Sequence, residues 1–367
     1  MTLSTTTDGH RAGELSIRLR HAAEAVLIPV LALLGAGLLF AVFLLFLQKS
    51  PVEFFTLIWR GGFGSFFSWQ NALLRATPLI FTALCVAIPA RIGLIIIGGE
   101  GAFVLSGFCA AAAAASIDGL IQPWLVTLVM ALVATGTGAI WIGLVGVMRY
   151  ARGVNETISS LIMTYIAIAI MNFFVEGPLR DVSDPNRPST KAISPASMIG
   201  AIPGLDVHWG LVIAVVLAAV LLVLMKRTTF GFAARITGGN LRVSLAQGLP
   251  VGRLLVASCA IGGACAGLAG FFEVAAVQGR ASSALHAGYG FTGILVAFMA
   301  RQNALAIVPV AFLFGGIAAA GGLVQRHMDL PDATVVLLQG VVFVVLLASE
   351  TLHGRFLLFN PERRKVT

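Results

Sequence analysis

One acid in this sequence stands where an acid is costly. Glu100 lies within Ile92–Ala115, an apolar run long enough to cross a bilayer, inside the cluster Gly98-Gly99-Glu100-Gly101. It is the acid we place well inside a span. A carboxylate at that depth marks a pathway for a solute or ion. The same carboxylate at the start of a half-helix bonds backbone N–H groups that a broken helix leaves free. Both readings require the helix to break at the glycines, and both stay open on the sequence. A second break, Gly288-Tyr289-Gly290 leading into Phe291-Thr292-Gly293, occupies a similar place in the other half of the chain. Paired broken segments point to a transport pathway between related halves. Freed backbone groups are tolerated there only if they face protein or a water-filled cavity. Gly99, Glu100, Gly101, Tyr289 and Thr292 are therefore expected at one cavity, as pathway residues. The plainer reading of any single glycine cluster, Gly263 and Gly267 included, is close helix packing.

The remaining chemistry is sparse. The sequence contains no GxxxxGK[ST] loop, no HExxH and no GxSxG, and its six histidines are scattered. Cys85, Cys109, Cys259 and Cys265 lie in apolar runs, with no metal-ligand spacing beyond a loose pair at 259 and 265, and read as small packing residues. No catalytic residue, no metal and no cofactor is expected, and the chain itself is not expected to be an enzyme. Asn155-Glu156-Thr157 reads as a helix start with Asn155 as its cap.

The other distinctive stretch is Lys226–Gly252. It is polar and basic, with Lys226, Arg227, Arg235 and Arg242, Arg253 just beyond, and no acid. A Lys/Arg-rich loop between spans marks the cytoplasmic face. Thr228 or Thr229 can cap a short turn, Gly238-Gly239-Asn240 can stop it, and Leu241–Leu249 reads as a short amphipathic helix. A structured loop without chemistry of its own is a surface for another protein to push on. Its candidate contact residues are Arg235, Asn240, Arg242 and Leu245. Leu241, Leu245 and Leu249 are expected to pack on protein, and Arg235 and Arg242 to face the partner or lipid head groups. The plainer reading is a positive-inside connector.

These residues need a membrane scaffold. Charged residues make up 11% of the chain and the mean hydropathy is +0.95, against roughly 25% charge in soluble domains. The fold class expected is an all-α polytopic membrane protein of about ten transmembrane helices, two of them glycine-broken in related halves. Residues 1–25 read as a cytoplasmic tail rather than a cleavable signal, 26–352 as the transmembrane domain, and 353–367 as a second basic tail. Within that domain 226–252 is the basic loop. The outer segments are 48–70, with its interfacial aromatics, and 176–208, rich in Pro and Asp and expected to be ordered only in part. Ten spans put both ends on one side. With both ends inside, the inner segments hold twice as many Lys and Arg as the outer ones. The net charge of +8 is thus explained by topology and anionic lipid, and nucleic acid is not expected as a partner.

Five stretches together resemble a known family: ARIGLIIIGGEGAFVLSG, GVNETISSLIMTYIA, RTTFGFAARITGGNLRVSLAQGL, GGACAGLAGFFEV and GYGFTGILVAFMARQNALAI. Taken in order from about Ala90 to Ala306, they resemble the permease subunits of ABC importers for ribose, nucleosides and other simple sugars. That group also includes the branched-chain amino-acid permeases; the nucleoside and simple-sugar branch is the nearest. The resemblance implies a dimer of permeases (homo- or heterodimer), two cytoplasmic ABC ATPase subunits and an extracytoplasmic solute-binding protein, in the inner membrane of a bacterial cell. It also implies that the basic loop docks the ATPase. The sequence departs from the family pattern at Ile96 (usually Asn), Ala102 (usually Gln), Thr164 (commonly Asn) and Thr292 (often Asp). These changes remove polar groups near the breaks and leave the substrate open; a second permease could supply the polar half. The alternative, an ion-coupled secondary transporter of a small polar solute, would normally show more acids or histidines in its spans.

Overall fold

The computed structural model describes residues 30–350, apart from 185, 186 and 332. The tails expected at 1–25 and 353–367 lie outside the described residues. Regular structure among the described residues is helical, with three isolated β-bridges. The helices are α1 (Val30–Phe46), α2 (Pro51–Gly62), α3 (Phe66–Ala90), α4 (Gly99–Ile117), α5 (Pro123–Arg152), α6 (Glu156–Glu176), α7 (Gly210–Arg227), α8 (Thr229–Gly239), α9 (Leu241–Ala246), α10 (Val251–Phe272), α11 (Tyr289–Met299), α12 (Ile307–Ala319), α13 (Gly321–Met328) and α14 (Ala333–Glu350). Among the described residues seven helices are long and apolar enough to cross a membrane, and Val30–Phe46, Ser283–Met299 and Ala333–Ser349 are shorter apolar helices.

The chain divides into two compact units, one comprising 58–320 and the other the described residues before and after it. In the second, α1 buries a stripe of Ala32, Ala36, Phe40 and Leu44, one residue per turn, while Leu34, Leu38, Leu45 and Phe46 stay exposed. A helix apolar on both faces suits protein on one side and lipid on the other. Phe40 packs on Phe54 with ring centroids 5.1 Å apart, and the Lys49 ammonium donates to the Met328 carbonyl at 2.6 Å.

The larger unit is held by small residues. A Cβ placed on Gly138 or Gly263 would strike the backbone of the other, and one on Gly267 would strike Ala134, so α5 and α10 cross with their backbones nearly in contact. Gly262 does the same against Cys85 on α3, and Gly270 against Phe103 and Gly107 on α4. The cysteines are free, and Cys85, Cys259 and Cys265 are buried among these contacts. At the start of α6 the Asn155 side chain accepts from the Thr157 and Ile158 amides at 2.9 and 3.2 Å, the cap its sequence predicts.

Three boundaries differ from the sequence reading. Residues 48–70 are not a loop: Pro51 opens α2 and Ser65 caps α3 by accepting from the Ser68 amide at 3.1 Å. The aromatics that suggested an interfacial loop lie on those two helices, except Phe63 in the turn between them. The apolar run Leu254–Val277, expected as one span, ends as α-helix at Phe272 and continues as a π turn, Glu273–Gln278. The short helix expected over Leu241–Leu249 stops at Ala246, because Gly248 takes a positive φ of 73°.

From Thr190 to Ser197 the long segment after α6 is pinned. Its Thr190 and Ile193 amides donate to the Ala281 and Gly279 carbonyls at 2.9 and 2.8 Å. Asp118, just past α4, accepts from the Ser194 amide at 2.7 Å and the Ser197 hydroxyl at 3.0 Å. Those bonds hold the Asp118 carboxyl below the usual carboxylate range. His208, which closes the segment, is packed against Phe272, and burial pushes its imidazole down to about 4.

Candidate functional site

The two glycine breaks meet. Residues 91–98 are not helical, and α4 begins at Gly99. Gly288, with φ of 78°, turns the chain into α11. The start of α11 lies directly on the start of α4, because a Cβ on Gly290 would strike the backbone of Gly99 and Glu100. Two helix N-termini therefore face one point, each bringing unbonded N–H groups and a positive dipole end.

Glu100 answers that need. Its side chain is 0% exposed. One carboxylate oxygen accepts from the Gly288 amide at 2.8 Å and lies 2.9 Å from His286 Nδ1; the other accepts from the Gly290 amide at 2.5 Å. Hydrogen bonds to an ionised group contribute about 1.5–3 kcal/mol each. The carboxylate thus caps α11 from another helix. Gly99 also faces Gly290. Gly101 instead backs onto Thr164 of α6, where a Cβ would come within 2.5 Å of the Thr164 Cα. Tyr289 places its ring edge on Phe103, with centroids 5.9 Å apart, and its carbonyl accepts from the Thr82 hydroxyl at 3.1 Å. Thr292 is half-buried one turn into α11, its amide on the Gly288 carbonyl at 3.0 Å. Ile96 and Ala102, where polar residues would suit the family pattern, are fully buried.

The sequence reading missed one acid. Glu273, within the apolar run Leu254–Val277 but passed over, is 8% exposed and sits on the π turn after α10. Its carboxylate accepts from Gln278 Nε2 at 3.0 Å. The signal was available: an acid between apolar residues in GLAGFFEVAAVQG, behind a glycine-rich face.

The basic loop forms two helices joined at an elbow. The Thr228 hydroxyl caps α8, accepting from the Gly231 amide at 3.3 Å. Asn240 ends α8 through its amide, which donates to the Ile236 carbonyl at 3.0 Å. Its side chain opens α9, accepting from the Arg242 and Val243 amides at 3.0 and 3.2 Å. Ala233, Ala234 and Thr237 of α8 are buried, the two alanines in a cluster with Ile92, Leu94 and Ile96. Gly238 lies against the backbone of Arg91 and Ile92. Arg91 in turn donates to the Gln302 carbonyl, just past α11, at 2.8 Å. So α8 rests on the segment leading into one broken helix, and that segment is bonded to the end of the other.

Leu241 and Leu245, expected to pack on protein, are not covered by this chain. They are 49% and 58% exposed, and Val243 beside them 43%. The residue that α9 buries is Ser244, and Leu249 alone of the three leucines packs on the core. A six-residue helix is too short to cover three apolar side chains. Arg235 and Arg242 are exposed.

Comparison with known proteins agrees with this arrangement. A glucose ABC transporter permease protein of Haloferax volcanii is 31% identical over 88% of this chain and 87% of its own length. A guanosine ABC transporter permease protein of Bacillus subtilis is 28% identical over 92% and 97%, and a nucleoside ABC transporter permease protein of Lactococcus lactis 25% identical over 87% and 90%. The family model of the branched-chain amino acid transport system permease component matches residues 68–347. That span contains the junction, the basic elbow and the π turn, and it sets aside the ion-coupled alternative. The chain is a multi-pass permease subunit of an ABC transporter and belongs to the branched-chain amino acid transport system permease family.

Proposed function

We propose that this chain forms the translocation pathway of an ATP-driven importer for a nucleoside or simple sugar in a bacterial inner membrane. The observation that carries the reading is the meeting of two helix starts through the buried Glu100 carboxylate. Such a junction lets irregular backbone exist at membrane depth without unbonded groups. Gly99, Gly101, Tyr289 and Thr292 are its neighbours along the pathway, and Glu100 holds their elements in place. Both chain ends and α8–α9 face the cytoplasm, as the basic loop requires. ABC ATPase subunits dock on the exposed Leu241, Val243 and Leu245, with Arg235, Asn240 and Arg242 framing the contact; ATP hydrolysis resides there. A solute-binding protein docks on the opposite side, and a second permease completes the assembly. The substrate class follows from relatives named for glucose, guanosine and nucleosides.

The test is reconstitution in vesicles with the ATPase, second permease and binding protein. Uptake of labelled glucose or guanosine should require ATP and the binding protein. A cysteine at Asn240 should label only from the cytoplasmic side, and one at Lys191 only from outside. Uptake driven by an ion gradient without ATP overturns the reading.

A further inference from the structure

Helix α3 carries a charge that the fold leaves uncovered. Arg75 lies about 14 Å along α3 from Phe66 at ~1.5 Å per residue, inside a helix long and apolar enough to cross a membrane. It is exposed. A guanidinium at that depth is costly in lipid and therefore fronts water or a polar partner. Its neighbours say which. Thr82 lies two turns further along the same face of α3, and its hydroxyl donates to the Tyr289 carbonyl at 3.1 Å. Arg75 reaches the other end of the same residue and bonds the Tyr289 hydroxyl. The Glu273 carboxylate acts electrostatically on both. It is 8% exposed and accepts from Gln278 Nε2 at 3.0 Å. Glu273 and Gln278 stand at the two ends of a π turn, a form often found at functional sites.

The contrast with Glu100 is informative. Each Glu100 oxygen is occupied by amides of this chain, so it has little left to offer a ligand. Arg75 retains donors, and Glu273 retains acceptor positions. From these contacts we infer that Arg75, Tyr289, Glu273 and Gln278 form a subsite in the translocation pathway that binds hydroxyl groups of a neutral polyhydroxylated solute; this rests on the importer reading above. The opposite charges of Arg75 and Glu273 offset each other, so the subsite does not select an ion. The guanidinium fork matches two adjacent oxygens on a sugar ring. The carboxylate accepts hydroxyl protons, and the Tyr289 ring gives an apolar wall. An acidic group on the second permease is the competing partner for Arg75.

The test uses the complete reconstituted complex with a panel of labelled pentoses, hexoses and nucleosides and their monodeoxy analogues. Binding-protein affinity for each is measured separately, and uptake is read with the binding protein fully loaded. Arg75→Gln should slow uptake of the preferred solute about tenfold or more, the scale of a charge-assisted hydrogen bond. One deoxy analogue should show the same loss in the unaltered complex and little further loss in Arg75→Gln, because solute and side chain then lack the same bond. Glu273→Gln should pair in this way with a different hydroxyl. An equal loss on every analogue, or separation of the second permease from Arg75→Gln on size exclusion, overturns the subsite and leaves the importer reading standing. No ATP-driven uptake of any member of the panel by the unaltered complex overturns both.

Discussion

The α4–α11 junction and the α8–α9 elbow are both helix starts with orphan N–H groups, and they solve that problem in opposite ways. At the junction the cap comes from far along the chain: Glu100 serves amides at 288 and 290. At the elbow the cap is local, with Asn240 serving Arg242 and Val243. A distant cap fixes two segments to each other, whereas a local cap fixes only the bend. The junction is buried, backbone on backbone; beyond the elbow, Leu241, Val243 and Leu245 are exposed. The first must hold, and the second is free to be met by a partner. Between them stands α8, docked by Gly238 on Arg91 and Ile92, with Arg91 bonded to Gln302. A push on α9 has a short packed route to the flanks of both broken helices.

The largest contrast should come from glycine. Gly290→Ala places a methyl on the Glu100 backbone, where nothing flexible can yield. Overpacking typically costs about 1–3 kcal/mol and more where neither side can move. We expect a large drop in the thermal midpoint of the purified permease, or no assembled protein. Gly239→Ala at the elbow meets nothing within 4 Å and gains up to about 1 kcal/mol of helix propensity. Equal destabilisation by the two would remove the distinction between the regions.

A smaller loss should follow Glu100→Gln. The side chain keeps its size, but an amide has one acceptor oxygen where the carboxylate serves both the Gly288 and Gly290 amides. One buried N–H is left unbonded, at a cost of about 1–3 kcal/mol. The check is the denaturation midpoint of purified permease beside that of Glu100→Asp. An unchanged midpoint would mean that the carboxylate does not tie the helices.

How far the sequence speaks follows the same division. The breaks at Gly98–Gly101 and Gly288–Gly290 are legible because only glycine allows that approach and that turn. The cap at Asn155 is legible because it acts within three residues. The dual nature of Glu100, pathway or cap, could not be resolved, because its partners lie 186 to 190 residues away. Arg75 was missed because it was counted with an outer segment, although α3 starts at Phe66. Leu241 and Leu245 were expected against protein, and an apolar stripe in sequence does not say whether its cover is the same chain or another.

That last ambiguity can be broken at the elbow. Leu245→Asp adds a charge to a side chain 58% exposed on a short helix, so stability should change by no more than about 0.5 kcal/mol. Asn240→Pro is harsher: it removes the amide that donates to Ile236 and the cap of α9, and the native φ of −157° is closed to proline. Even so, the damage is confined to the bend, because α8 keeps its buried alanines. Both variants should reach the membrane and purify with the second permease. If the exposed leucines seat the ATPase, both should hydrolyse ATP with less solute moved per ATP, and added binding protein should no longer stimulate hydrolysis. Leu245→Asp should show the purer form of this defect. The measurement is hydrolysis and uptake in the same vesicles, with and without binding protein. If both variants keep the normal uptake per ATP, α9 is a connector with an apolar surface toward lipid, and the route from α9 through α8 to Arg91 carries no work.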